Sequence, residues 1–259
     1  MTEPQRIASR DNPLLVRLRR LAQDATAYRR VGQAWLEGDH LCSAYVQHGG
    51  HAAQAVFTDE AWQEPALRAL AAGAHRVVRV PAAHFAGISS LPSPAPMGFL
   101  VDLPAAAALQ PTAPTLVLDR VQDAGNVGSM LRSAAAFGVR QVVALKGTAA
   151  LWAPKVLRAG MGAHFGLALF DGAEPALLDG LAVPLVATSP HAAASLPTAA
   201  LPWPCAWLLG HEGQGVDPDL QARCAHTVRI PQPGGGESLN VAAAAAVCLY
   251  ESARRAAVQ

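Results

Sequence analysis

Apolar positions recur at two tempos along the chain, and the change between them divides it. After Asn12-Pro13, which suits a helix start, Leu14, Leu18, Leu21, Ala25 and Tyr28 follow at the spacing of one helix face. Short strand-like runs at 54–57, 76–80 and 98–102 then alternate with Ala-rich helical stretches. The pattern predicts a small α/β domain over residues 1–104. Residues 105–114 are rich in Pro and Ala and carry no charge, so they read as a linker.

From residue 115 to 259 strands and helices alternate. Strands are expected at 115–119, 141–145, 166–170, 184–188, 206–210 and 227–231, and helices at 127–137, 154–161, 217–224 and 238–254. Such alternation implies a mostly parallel sheet covered on both faces. Ligands of such sheets bind beyond the carboxyl ends of the strands.

Composition narrows the class. The chain is 51% apolar and 15% charged, enough for a sizeable core and too apolar for disorder. Its longest apolar run, Val241 to Tyr250, is about half the length of a bilayer-spanning helix, so no membrane association is expected. The start carries Glu3, Arg6 and Arg10 instead of an apolar signal core. The cysteines (Cys42, Cys205, Cys224, Cys248) form no CxxC pair and no zinc spacing. Reduced thiols, a cytoplasmic location and no metal follow as expectations. The net charge of +1 makes no global case for nucleic acid. Residues 1–30, however, hold seven arginines against Glu3, Asp11 and Asp24. That excess suits phosphates, and it equally suits a solvated helix face.

Three loops at strand ends concentrate the chemistry. The first, Asp123-Ala-Gly-Asn126-Val-Gly128-Ser-Met-Leu-Arg132, places Asn126 to cap the next helix and sets Gly128 and Arg132 on one face. The second, Gly210-His-Glu212-Gly213-Gln-Gly215, follows an apolar strand with glycines that allow close backbone approach to a ligand. It is neither GxGxxG nor the start of a zinc-binding HExxH. The third runs from Ile230-Pro231 through Gly234-Gly235-Gly236 to Ser238-Leu239-Asn240-Val241. Ser238 is expected to cap the long final helix, whose free amides suit a polar or anionic group. Asn240 then falls one turn in, where Asn is a poor helix former, so a binding role is expected for it. Each loop also has a plain structural reading as a capped helix or a glycine turn.

Together and in this order, the loops resemble the signature motifs of the SpoU-type, TrmH-like RNA 2′-O-ribose methyltransferases of the SPOUT superfamily. Asn126, Gly128 and Arg132 match the first motif, and Gly210, Glu212 and Gly215 the second. Ile230, Pro231, Ser238, Leu239, Asn240 and Val241 match the third. Residues 153–163 also look like a family stretch. The third motif departs from the family in having Gln232-Pro233 and three glycines where an apolar residue and a single Gly are usual.

The resemblance implies a trefoil-knotted α/β methyltransferase domain over 115–259, preceded by an RNA-binding domain. It implies a homodimer that transfers a methyl group from S-adenosylmethionine to a ribose 2′-hydroxyl of ribosomal or transfer RNA, with no metal. By the same analogy Arg132 is catalytic, and Asn126, Glu212, Ser238 and Asn240 arrange the site. Gly210, Ile230 and Leu239 hold the cofactor through main-chain groups, with Thr188 and Gly215 beside them. Two other readings compete: a non-catalytic RNA-binding or ribosome-assembly protein, and a nucleotide- or NAD-binding enzyme. The set Asn126, Arg132, Glu212 and Asn240 argues against the first. The missing GxGxxG and ribose-binding acid argue against the second.

Overall fold

The computed structural model describes residues 4–235 and 238–257. Gly236 of the third loop, with Glu237, and Glu3 at the start therefore lie outside the described residues. The chain divides into two compact units. The first comprises Met1–Ala105 with Trp152–Phe165, and the second Ala106–Leu151 with Gly166–Gln259.

In chain order the first unit holds β1 (Gln5–Arg6), α1 (Pro13–Gln23), α2 (Ala27–Val31), β2 (Gln33–Glu37), α3 (Asp39–Gln47), β3 (Gln54–Thr58), α4 (Pro65–Ala69), β4 (Val77–Val80), α5 (Ala82–Ala86) and β5 (Met97–Asp102). Then follow β6 (Thr115–Leu118), α6 (Ala124–Ala136) and β7 (Gln141–Leu145) of the second unit. Helix α7 (Pro154–Gly160) belongs to the first. The remainder is β8 (Ala168–Ala173), β9 (Leu185–Thr188), β10 (Ala194–Ser195), β11 (Ala206–Leu209), α8 (Pro218–Ala222), β12 (His226–Arg229) and α9 (Val241–Ala256).

Helix α1 starts as its sequence predicts: Asn12 Oδ1 accepts from Leu14 N at 2.9 Å, and Pro13 occupies the first turn. It does not continue to Tyr28. Asp24 Oδ1 accepts from both the amide and the hydroxyl of Thr26, turning the chain and leaving Ala25 exposed. Strand β2 was not expected, because Ala34, Trp35 and Leu36 are all buried and so show no alternation. The sheet order is β1-β4-β3-β5-β2, with β5 antiparallel to both neighbours. Helix α7 packs on α1 and β2 of this unit. Glu37, largely buried on β2, accepts from the hydroxyls of Ser89 and Ser90, and Arg158 of α7 donates to Ser90.

The second unit is built on a seven-stranded sheet in the order β10-β12-β9-β11-β6-β7-β8, parallel throughout. Its central strands are buried on both faces. Val117, Val143, Leu185, Ala187, Ala206 and Leu208 share one core with Val216 and Leu220. Helices α6 and α9 pack together, and α9 lies on β11. There the buried Trp207 indole donates to Ser252 at 2.9 Å. Strand β8 begins at Ala168 instead of 166, because Ala163–Gly166 closes a 3-10 turn first. Four neighbouring strands, β12, β9, β11 and β6, point the same way, so their carboxyl ends share one edge. No helix among the described residues is long and apolar enough to cross a membrane.

Candidate active site

The loops that leave three of those strands, β6, β11 and β12, are tied to one another by side chains. Glu212, in the loop after β11, accepts from Asp123 N at 3.1 Å and Gln122 N at 3.3 Å in the loop after β6, and from Asn126 Nδ2 at 3.1 Å. Asn126 Oδ1 in turn accepts from Asn240 Nδ2 at 3.0 Å. Asn240 Oδ1 accepts from Ala242 N at 2.9 Å and Ala243 N at 3.3 Å, at the start of α9. The three loops are thus joined by a continuous relay, carboxylate to amide to amide to helix terminus. Partial burial opposes charge on Glu212. The amides of its own residue, the Asn126 side chain and the Asp123 and Gln122 main chain outweigh that burial and hold its carboxyl below the usual range.

Two capping expectations are corrected. Asn126 does not cap α6. Asp123 does, its Oδ1 accepting from Asn126 N at 2.8 Å, which frees the Asn126 side chain for the relay. Ser238 does not cap α9, and Asn240 is not one turn in: Asn240 is itself the cap. Its poor fit to a helix interior is therefore satisfied by its position. The Asp-x-x-Asn spacing is a signal that would have located the first cap.

A second clamp was not anticipated. Asp119, buried at the end of β6, receives Arg120 Nε at 2.8 Å and Nη2 at 2.9 Å, and also Asp217 N at 2.8 Å. Arg120 sits in the left-handed region at φ 56° and extends Nη1 to Gln214 Oε1 at 3.2 Å. Loop β6–α6 and loop β11–α8 are therefore held together at two points.

Beside the relay lies a cavity of about 450 Å³, within the range of small-molecule sites. Thr188, Gly210, His211, Glu212, Gly215, Ser238 and Leu239 are in its wall, with Ser189 and His191 from the loop after β9. Ile230 lines an adjoining hollow of about 100 Å³ that shares Thr188, Ser238 and Leu239. Gly210 is required by packing: a Cβ there would fall 2.2 Å from Gly215 C and Val216 N. Leu239 is 40% exposed, an apolar side chain turned to open space. Arg132 stands apart from this group. It is exposed on α6, is not in the cavity wall, and makes no hydrogen bond or ion pair among the described residues. Among those residues no three His, Cys, Asp or Glu side chains are grouped to hold a metal.

Residues 113–250 match the SpoU rRNA Methylase family. Along nearly its whole length the chain is 34% identical to slr1673 of Synechocystis, described as an uncharacterized tRNA/rRNA methyltransferase, covering 96% of this chain and 93% of that one. The chain belongs to the SpoU rRNA methylase family. A second relative, the 23S rRNA guanosine 2′-O-methyltransferase RlmP of Bacillus subtilis, is 36% identical over 52% of this chain and 56% of its own length. The match to that relative thus spans about half of it. A crystal structure of an RNA 2′-O ribose methyltransferase superposes with a TM-score of 0.80 at 30% identity, covering 98% of this chain and 100% of the other. The family match begins at the linker and ends inside α9, so it contains all three loops of the relay.

Proposed function

We propose that this protein transfers the methyl group of S-adenosylmethionine to a ribose 2′-hydroxyl of ribosomal or transfer RNA. The observation that carries the reading is the relay Glu212–Asn126–Asn240 beside a cavity walled by glycine main chain, at the edge where parallel sheets bind ligands. The cavity fits the methyl donor in volume. The absent Cβ at Gly210 lets it pack on the Gly215–Val216 backbone, so two glycines line the wall together, and exposed Leu239 offers an apolar surface. Thr188, Gly210, Gly215, Ile230 and Leu239 would hold it, and once bound it supplies an electrophilic methyl group.

The chain's own residues then have distinct tasks. A ribose hydroxyl is a weak nucleophile until it is deprotonated and its developing charge stabilised. Glu212 is committed to three donors and stays ionised, which makes it a weak proton acceptor and a good brace. Arg132, exposed and without a partner among the described residues, is available to a phosphate and to the forming oxyanion. A guanidinium holds its proton too tightly to serve as a ready base, which argues against that role for Arg132. Asn126 and Asn240 fix the distance between the loops, so positioning supplies much of the rate.

The reading extends to a knotted thread through the second unit and to a homodimer in which Arg132 acts at the site of either copy. The first unit would be the RNA-binding domain and the cytoplasm the compartment, which suits the free thiols of Cys42, Cys205, Cys224 and Cys248. Arg132→Ala tests the core of it. Turnover on unmodified ribosomal RNA should fall at least a hundredfold, about the loss on removing one oxyanion donor, while calorimetric affinity for S-adenosylmethionine stays within about threefold. Turnover near the wild-type rate would remove Arg132 from the chemistry.

A further inference from the structure

One side chain in the second loop makes hydrogen bonds that neither the motifs nor the mechanism has used. His211 opens the turn that carries Glu212. Its main chain pairs with Gly215 in both directions, His211 N to Gly215 O at 3.0 Å and Gly215 N to His211 O at 2.8 Å. Inside that turn, Nδ1 of the imidazole accepts from Gly213 N at 3.0 Å and Gln214 N at 3.2 Å. An acceptor nitrogen carries no proton, so the ring is neutral with its proton on Nε2. Gln214, whose amide is so held, is also the residue that Arg120 reaches from the first loop. Glu212 lies between His211 and the two capped amides. The direction of its carboxylate, and with it the relay, depends on the shape of this turn.

We propose that His211 is a positioning residue: its neutral imidazole caps the Gly213 and Gln214 amides and thereby aims Glu212 at the first loop. Protonation at Nδ1 would set a third N–H against two and remove the cap. The turn would then loosen, Glu212 would lose its direction, and the cavity wall formed by Gly210, His211 and Gly215 would lose its shape. The other charged or titratable groups around this turn are Glu212 beside it and His191 across the cavity. Arg120, Asp119 and Asp217 form the clamp on its outer side. None of these accepts the two amides, so none substitutes for Nδ1. The inference rests on the methyl-donor reading only in its binding arm.

The test uses the full chain as wild type, His211→Asn and His211→Ala. Asn carries an acceptor oxygen at the same number of bonds from the backbone as Nδ1, and it does not titrate. Nitrogen-15 NMR of the histidine rings, with His211 assigned by its loss in the variants, should show the Nε2–H tautomer at pH 8. A proton on Nδ1 would overturn the proposal whatever the protein binds. Calorimetric titration with S-adenosylmethionine should give His211→Asn within about threefold of wild type at pH 8 and His211→Ala about tenfold weaker, as loss of two neutral caps implies. Wild-type affinity for His211→Ala refutes the assignment. Absence of any S-adenosylmethionine binding by wild type would instead sink the methyl-donor reading, and the NMR arm would still decide His211.

Discussion

Asn240 joins two tasks in one side chain, and they can be separated. Its Oδ1 caps α9 by accepting from Ala242 and Ala243, and its Nδ2 continues the relay to Asn126. Asn240→Ala removes both. Loss of the cap costs about 1 kcal/mol, and loss of an exposed amide–amide bond about 0.5 kcal/mol. The sum of about 1.5 kcal/mol corresponds to a melting temperature lower by roughly 5 °C for a unit of this size. Asn240→Asp keeps the acceptor and places a negative charge at a helix N-terminus, a favourable contribution of about 0.5 kcal/mol. It deletes the Nδ2 donor, however. Asn126 would then face a carboxylate with its own Oδ1, or flip and turn that oxygen toward Glu212. Either orientation breaks the relay. Melting followed by circular dichroism should therefore place Asn240→Asp within about 2 °C of wild type and Asn240→Ala near 5 °C below it. Methyl transfer to unmodified ribosomal RNA should fall by about tenfold to a hundredfold in both. If Asn240→Asp melts like Asn240→Ala, the side chain is not the cap. If it turns over like wild type, the relay does not position the site.

Gly210→Ala forces a Cβ to within 2.2 Å of the Gly215 and Val216 backbone, so the loop must move; a destabilisation of about 2–3 kcal/mol in a denaturant titration is expected, with S-adenosylmethionine affinity lost, and an unchanged midpoint would show that the backbone contact is not tight. The lowered carboxyl of Glu212 stabilises the fold fully above the ordinary glutamate value, roughly pH 4.3, and less as pH falls through its lower folded value; the melting difference between wild type and Glu212→Gln should shrink on going from roughly pH 6 to pH 3, and a constant difference would refute the assignment. In the N-terminal segment Arg6 pairs with Asp59, Arg30 with Asp24, Arg17 with Gln33, and Arg19 with the Arg10 carbonyl, whereas the side chains of Arg10 and Arg20 are exposed and among the described residues make only a 3.9 Å contact from Arg10 to Asp11. Replacing Arg10 and Arg20 together by Ala should lower the salt dependence of RNA binding by about two phosphate contacts, and an unchanged slope would assign that face to the solvent.

Apart from the two-residue β10, and with α7 belonging instead to the first unit, the sequence alone determined the succession of elements from residue 115 onward. Runs such as 116–118, 142–145 and 206–209 are apolar throughout, because a parallel strand is buried on both faces and local pattern records that directly. The glycines and polar residues of the three loops were visible for a similar reason: helix caps and close backbone approach demand particular residue types wherever they occur. What each of those residues does was decided by tertiary structure. Asn126 and Ser238 look like caps by local rule, yet Asp123 and Asn240 hold those places, because a cap depends on where the helix begins and not on composition. Asn126 is 86 positions from Glu212 and 114 from Asn240, so only the strand order β12-β9-β11-β6 brings them together. The Asp119–Arg120 clamp and the capping imidazole of His211 left no periodic trace at all. Asp217 reaches Asp119 from 98 positions away, which no chain pattern records, and the His211 cap is a local pair of bonds set by the conformation of its turn, which residue type alone does not fix.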